Sequence, residues 1–123
     1  MNRPKKQTVL LVDDERCIRE SLARTLTDSG FDVLTAKDGE TALRLFCDSR
    51  PDVVLLDVMM PRMDGYTACS AMRRIDRETP IVFLSAMDSE PDQIRCLELG
   101  ADDYVSKTAS DAMLMARIRK AIE

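Results

Sequence analysis

Val53-Val54-Leu55-Leu56-Asp57 is the stretch that decides the fold. Four consecutive apolar residues, two of them β-branched, make too short a run for a core helix. They also lack the alternation of a strand with one wet face. Such a run fits a strand buried on both sides, which occurs when helices cover both faces of a parallel sheet. Residues 81–84, Ile-Val-Phe-Leu, repeat the pattern, and residues 9–12, 31–36 and 104–105 complete a set of five strand candidates. Between them lie segments of helical period. Ile18, Leu22 and Leu26 mark the first; Ala42, Leu43 and Phe46 the second; Cys69, Met72 and Ile75 the third. Ile94 and Leu97 mark the fourth, and Leu114, Ile118 and Ile122 the fifth. Gly30 and Gly100 stand where helices should end, Pro51 and Pro80 precede strands, and Asp38 and Ser110 are suited to cap helix starts. Strand–helix alternation repeated five times predicts parallel strands joined by right-handed crossovers, a doubly wound α/β domain.

The length of 123 residues fits one domain with its own core. Histidine is absent, which excludes Ser-His-Asp and Cys-His catalysis, imidazole metal ligation and any phosphohistidine on this chain. Tryptophan is absent too, and the net charge of −4 argues against a broad nucleic-acid footprint or base-stacking platform. The apolar run at residues 9–12 is too short for a signal peptide or a membrane span, so the sequence reads as cytoplasmic. Cys17, Cys47, Cys69 and Cys96 show no metal-binding or redox spacing; reduced, mostly buried thiols are expected.

In such sheets ligands bind beyond the carboxyl ends of the strands. The first strand ends at Asp13-Asp14, the third at Asp57 and the fourth at Ser85, and Lys107 follows the fifth. If the first and third strands are neighbours, three carboxylates converge, an arrangement that favours a shared cation. Hard oxygen ligands at an open site suit Mg²⁺, and Lys107 with Ser85 would add a positive charge and a hydroxyl for a transferred phosphoryl group. A carboxylate can itself be the nucleophile. Asp57, alone at the end of an apolar strand, suits that role; Asp13 and Asp14 suit metal holding. Plainer roles also exist: Asp13 or Asp14 as a cap of the first helix, Asp64 before Gly65 as a turn and helix start, Ser85 and Lys107 as solvated side chains.

Leu11-Val12-Asp13-Asp14-Glu15, the segment from Asp57-Val58-Met59-Met60-Pro61 to Asp64-Gly65, Leu84-Ser85-Ala86 and Gly100-Ala101-Asp102-Asp103-Tyr104-Val105-Ser106-Lys107 together resemble the receiver domain of two-component response regulators. The resemblance implies a flavodoxin-like five-stranded sheet of order 2-1-3-4-5 filling the chain, with a core at about residues 8–122. Asp57 would accept a phosphoryl group from a histidine kinase or histidine phosphotransfer protein. Asp13, Asp14, Asp57 and the backbone carbonyl of Met59 would hold Mg²⁺. Lys107 and Ser85 would bind phosphoryl oxygens, and Ser85 with Tyr104 would form the switch. Helix 4, strand 5 and helix 5 would make the signalling face, through which a homodimer is an option. Asp102, Asp103, Arg117 and Arg119 fall in that region, and an Asp103–Arg117 pair is expected either within the chain or across such a dimer. The last helix should end near Glu123, which leaves no output domain here and an output domain to a longer parent protein, if any.

Two features depart or qualify. The family usually carries proline after the lysine, joined by a cis bond; here Thr108 follows Lys107, and a cis bond to a non-proline residue costs about 2.5–4 kcal/mol. A trans bond is therefore expected, and the position of Lys107 becomes a question. A degenerate receiver, an interaction module that takes no phosphate, draws its support from this departure alone. Met59 and Met87, two residues past Asp57 and Ser85, offer no hydrogen bond to an attacking water, which predicts slow self-dephosphorylation. A flavin-binding domain is disfavoured by Asp13-Asp14-Glu15, which would repel a flavin phosphate, and an Asp-nucleophile phosphatase by Met59, which stands where a second carboxylate is needed.

Overall fold

The computed structural model describes residues 6–86 and 89–123. Five strands, β1 (Thr8–Val12), β2 (Asp32–Ala36), β3 (Val53–Asp57), β4 (Ile81–Ser85) and β5 (Asp103–Ser106), alternate with helices α1 (Arg16–Asp28), α2 (Gly39–Ser49), α3 (Gly65–Ile75), α4 (Glu90–Glu98) and α5 (Asp111–Ile122). All strands are parallel, in the order β2-β1-β3-β4-β5.

Every residue of β3 and β4 is buried, as the unbroken apolar runs require. Alternate side chains divide between two cores. Leu10, Val12, Val54, Leu56, Ile81 and Phe83 meet Ala42 and Phe46 of α2, Ala68 and Met72 of α3, and Cys96 of α4. Val9, Leu11, Val53, Leu55, Val82, Leu84 and Val105 meet Leu26 of α1 and Leu114, Met115 and Ile118 of α5. Each such Leu or Phe taken out of water stabilises the fold by about 1.5–3 kcal/mol before entropy is counted.

The expected punctuation is present. Asp38 accepts a hydrogen bond from the Thr41 amide at 2.7 Å, and Ser110 from the Met113 amide at 3.1 Å. Gly30 and Gly100, both at φ +97°, end α1 and α4 in the same way. The Gly30 amide reaches the Thr27 carbonyl and the Phe31 amide reaches Leu26; Gly100 and Ala101 repeat this on Leu97 and Cys96. That left-handed turn is one a residue with a Cβ adopts only with strain.

Three expectations need correction. Ile94 and Leu97 face outward, 46% and 54% exposed, because α4 docks through Cys96 and Leu99. Ile75 is likewise exposed, at the end of α3. Of the four cysteines, all free, Cys17 and Cys47 are exposed and only Cys69 and Cys96 are buried. Asp102 serves the end of the sheet remote from the strands' carboxyl ends: it accepts from the Ile81 amide and pairs with Arg73 at 3.0 Å. The Asp103–Arg117 pair is within the chain, at 3.0 Å. Among the described residues no helix is long and apolar enough to cross a membrane.

Candidate functional site

Register brings the carboxylates together. Val12 pairs with Leu56 across β1 and β3, so Asp13 and Asp57, the next residues of each chain segment, lie side by side at the sheet's edge. Ser85 closes β4 beside them and pairs in register with Ser106, the last residue of β5. The Lys107 amide then donates to the Ser85 carbonyl at 2.9 Å, and its side chain turns over the cluster. The Lys107 ammonium stands 3.2 Å from an oxygen of Asp13 and 3.2 Å from an oxygen of Asp57. Asp13, Asp57 and Ser85 are at most 1% exposed, whereas Asp14 is exposed.

Asp13 is held at both ends. Its Oδ1 accepts from the Glu15 amide at 2.9 Å, and its carbonyl accepts from Arg19 Nη1 at 2.8 Å. The first helix is capped by Glu15 without a side-chain hydrogen bond, so neither Asp13 nor Asp14 caps it. Asp57 Oδ1 accepts from the Met59 amide at 3.3 Å. Asp64 does have the plainer role, capping α3 through the Thr67 amide at 2.8 Å. Arg19 went unnoticed in the sequence, where an arginine six residues past Asp13 carries no sign that it folds back onto the loop.

Gly65, legible in the sequence only as a turn residue after Asp64, has a steric importance that its spacing does not show. A Cβ there would sit 2.1 Å from the Asp57 carbonyl oxygen and 2.8 Å from Val58 Cα, both backbone. The Gly65 amide donates to the Val58 carbonyl at 2.8 Å, which draws the start of α3 against the loop that carries Asp57. Gly65→Ala is expected to cost about 3 kcal/mol, at the upper end for overpacking, because rigid backbone has to move. Chemical denaturation checks this; a loss below about 1 kcal/mol would show that the α3 start can retreat.

Burial, then the charge of Asp13, push Asp57 up to about 7, against the pull of Lys107 and the Met59 amide. Burial alone would lower the Lys107 ammonium, but Asp57 and Asp13 outweigh it and hold the group above the ordinary lysine value. One carboxylate oxygen from each of Asp13, Asp14 and Asp57 lies within 4.8 Å of the others. Among the described residues, Lys107 is the sole polar partner of the two buried oxygens Asp13 Oδ2 and Asp57 Oδ2. Two buried carboxylates with one counter-charge, open to an exposed third, fit a hard divalent cation.

The remaining expected residues can be placed as well. Tyr104 pairs in register with Phe83, its ring packs against the core covered by α2, α3 and α4, and its hydroxyl is buried. The Met59 side chain is 61% exposed; Met87 lies outside the described residues. The Lys107–Thr108 bond is trans, as expected, and the turn still delivers Lys107 to the carboxylates.

The family pattern described as "Response regulator receiver domain" matches residues 9–119. Relatives include "Probable transcriptional regulator ycf27" of Guillardia theta, 52% identical over 93% of this chain and 44% of its own length. "Response regulator MprA" of Mycobacterium sp. (strain KMS) is 46% identical over 90% of this chain and 48% of its own length. The chain thus spans about half the length of these relatives. Among solved structures, Vibrio cholerae chemotaxis protein CheY4 superposes with a TM-score of 0.91 at 32% identity, covering 95% of this chain and 99% of that one. The BeF3-activated N-terminal receiver domain of Klebsiella pneumoniae RstA gives 0.90 at 35% identity, covering 95% and 99%. A doubly wound sheet of this order, with its acidic cluster at the strands' carboxyl ends and a family match over nearly its whole length, belongs to the response regulator receiver domains, the signalling domains of two-component systems.

Proposed function

We propose that this domain is a phosphoacceptor switch in which Asp57 takes a phosphoryl group from a phosphohistidine on a histidine kinase or histidine phosphotransfer protein. The observation that carries this reading is the single ammonium of Lys107 poised 3.2 Å from both Asp57 and Asp13. A charge so placed can follow the phosphoryl group as its oxygens arrive.

In the transfer an Asp57 carboxylate oxygen attacks phosphorus, the phosphorus–nitrogen bond to the donor imidazole breaks, and the freed imidazole nitrogen takes up a proton. An acyl phosphate remains on Asp57. Asp13, Asp14, Asp57 and the Met59 carbonyl are the residues that would hold Mg²⁺, which when bound neutralises carboxylate and phosphoryl charge. Asp57 attacks as the ionised form, so its raised pKa opposes the reaction until neighbouring charge is balanced. Lys107 supplies part of that balance. The Ser85 hydroxyl is the second phosphoryl ligand and, with Tyr104, the switch that passes the change to α4, β5 and α5. That face carries exposed Ile94, Leu97 and Met113, apolar positions for a downstream partner, a second copy or an output domain in a longer parent protein. Self-dephosphorylation is slow in this reading, since neither Met59 nor Met87 has a side chain that can hydrogen-bond an attacking water. The domain works in the cytoplasm, where its four free thiols stay reduced.

Incubation with phosphoramidate and Mg²⁺, followed by intact mass measurement, tests the reading. One phosphoryl adduct is expected with Mg²⁺ and none with EDTA. No adduct under conditions that label a known receiver would mean the domain acts without phosphate.

A further inference from the structure

We propose that the hydroxyls of Ser106 and Thr108 form a clip that positions the Lys107 ammonium over Asp57. The inference rests on the reading of Asp57 as phosphoacceptor and deepens it, by naming what holds the lysine where the family's proline is missing.

The turn after β5 is a four-residue one: the Ala109 amide donates to the Ser106 carbonyl at 3.0 Å, leaving Lys107 and Thr108 as its central residues. Two side-chain contacts cross it. Ser106 Oγ and Thr108 Oγ1 lie 2.8 Å apart, and the Thr108 amide donates to Ser106 Oγ at 3.2 Å. Proline at 108 would have neither the hydroxyl nor the amide hydrogen. Its ring would instead fix the backbone by covalent constraint. Here two hydrogen bonds do the fixing, and both originate from serine and threonine, residues suited to bond their own backbone in turns.

The consequence falls on Lys107. Its amide is tied to the Ser85 carbonyl on one side, and the clip closes the other, so the direction in which its stem leaves the turn is set. A flexible four-carbon chain then has one short arc to cover before its ammonium meets Asp13 and Asp57, each at 3.2 Å. Ser106 and Thr108 touch neither carboxylate. They are positioning residues, and their effect should appear in the rate of transfer and in the mobility of the lysine, with little effect on stability.

The test uses the full chain with Mg²⁺ and phosphoramidate, and reads two quantities: the rate of labelling on Asp57 and the NMR signal of the Lys107 ammonium. Ser106→Ala removes both contacts and is expected to slow labelling by about threefold to tenfold, the range for one or two lost hydrogen bonds, and to broaden the lysine signal. Thr108→Val keeps the amide contact and should slow labelling by less. Thr108→Ser should restore the wild-type rate, which a loss of generic turn stability would not explain. A wild-type rate with an unchanged ammonium signal in Ser106→Ala would overturn the clip. If Ser106→Ala fails to fold, the same null result in the exposed-site variant Thr108→Val overturns it equally. Should the wild type itself take no label, the phosphoacceptor reading falls, and the ammonium signal alone then decides the clip: broadening in Ser106→Ala upholds it and an unchanged signal overturns it.

Discussion

Asp57→Asn is expected to abolish labelling and, in metal-free protein at pH 8, to stabilise the fold by about 2–4 kcal/mol. The second effect follows from the first residue's surroundings. Asp57 is raised to about 7 in the folded protein by burial and by Asp13, against roughly 3.9 for an unfolded chain. A carboxyl group with a raised folded pKa binds its proton more tightly when folded. Its cost is therefore absent below the unfolded pKa, grows as pH rises from about 4 to 7, and levels off above. Asparagine keeps the shape and loses the charge. Denaturation in EDTA should show the variant and wild type close together near pH 4, separating steadily to pH 7. The gap should shrink when Mg²⁺ is added to the wild type. A gap independent of pH would mean that burial and the charge of Asp13 do not raise Asp57 in the folded protein.

Lys107→Met should have the opposite sign and an equal or larger size. The ammonium is the only counter-charge that Asp13 Oδ2 and Asp57 Oδ2 meet among the described residues. Removing one member of a buried charge group typically costs about 3–5 kcal/mol, because the partner is left uncompensated. At low pH the cost has an outlet, since Asp57 can take a proton. The loss should therefore be greatest at pH 8 and small near pH 5. Transfer to Asp57 should slow by about two orders of magnitude, the usual effect of deleting one preorganised charge from such a site. Equal stability of variant and wild type at pH 8 would contradict the geometry of the cluster.

Much of this was legible in the sequence because two signals are strong. Buried parallel strands leave unbroken apolar runs, and chain continuity fixes the residues that end them, so the sequence alone puts Asp57, Ser85 and Lys107 at one edge of the sheet. Register then makes neighbours of Asp13 and Asp57 without further information. What escaped depends on rotation and on side chain–backbone contacts, which leave no periodic trace. Ile94 and Leu97 have helical spacing, yet so do Cys96 and Leu99, and spacing alone does not say which pair faces the sheet. Arg19, Gly65 and the Ser106–Thr108 turn act through single contacts with the backbone. Nothing in their spacing distinguishes them from surface residues of the same types.

The central claim is that Asp57, and no other residue, receives the phosphoryl group. Treating the labelled protein with borohydride reduces an acyl phosphate to an alcohol and converts an aspartyl phosphate to homoserine, which peptide mass mapping locates. Homoserine at position 57 alone is the predicted result. Homoserine at 13 or 14, or a borohydride-resistant phosphate on Ser85, would contradict it.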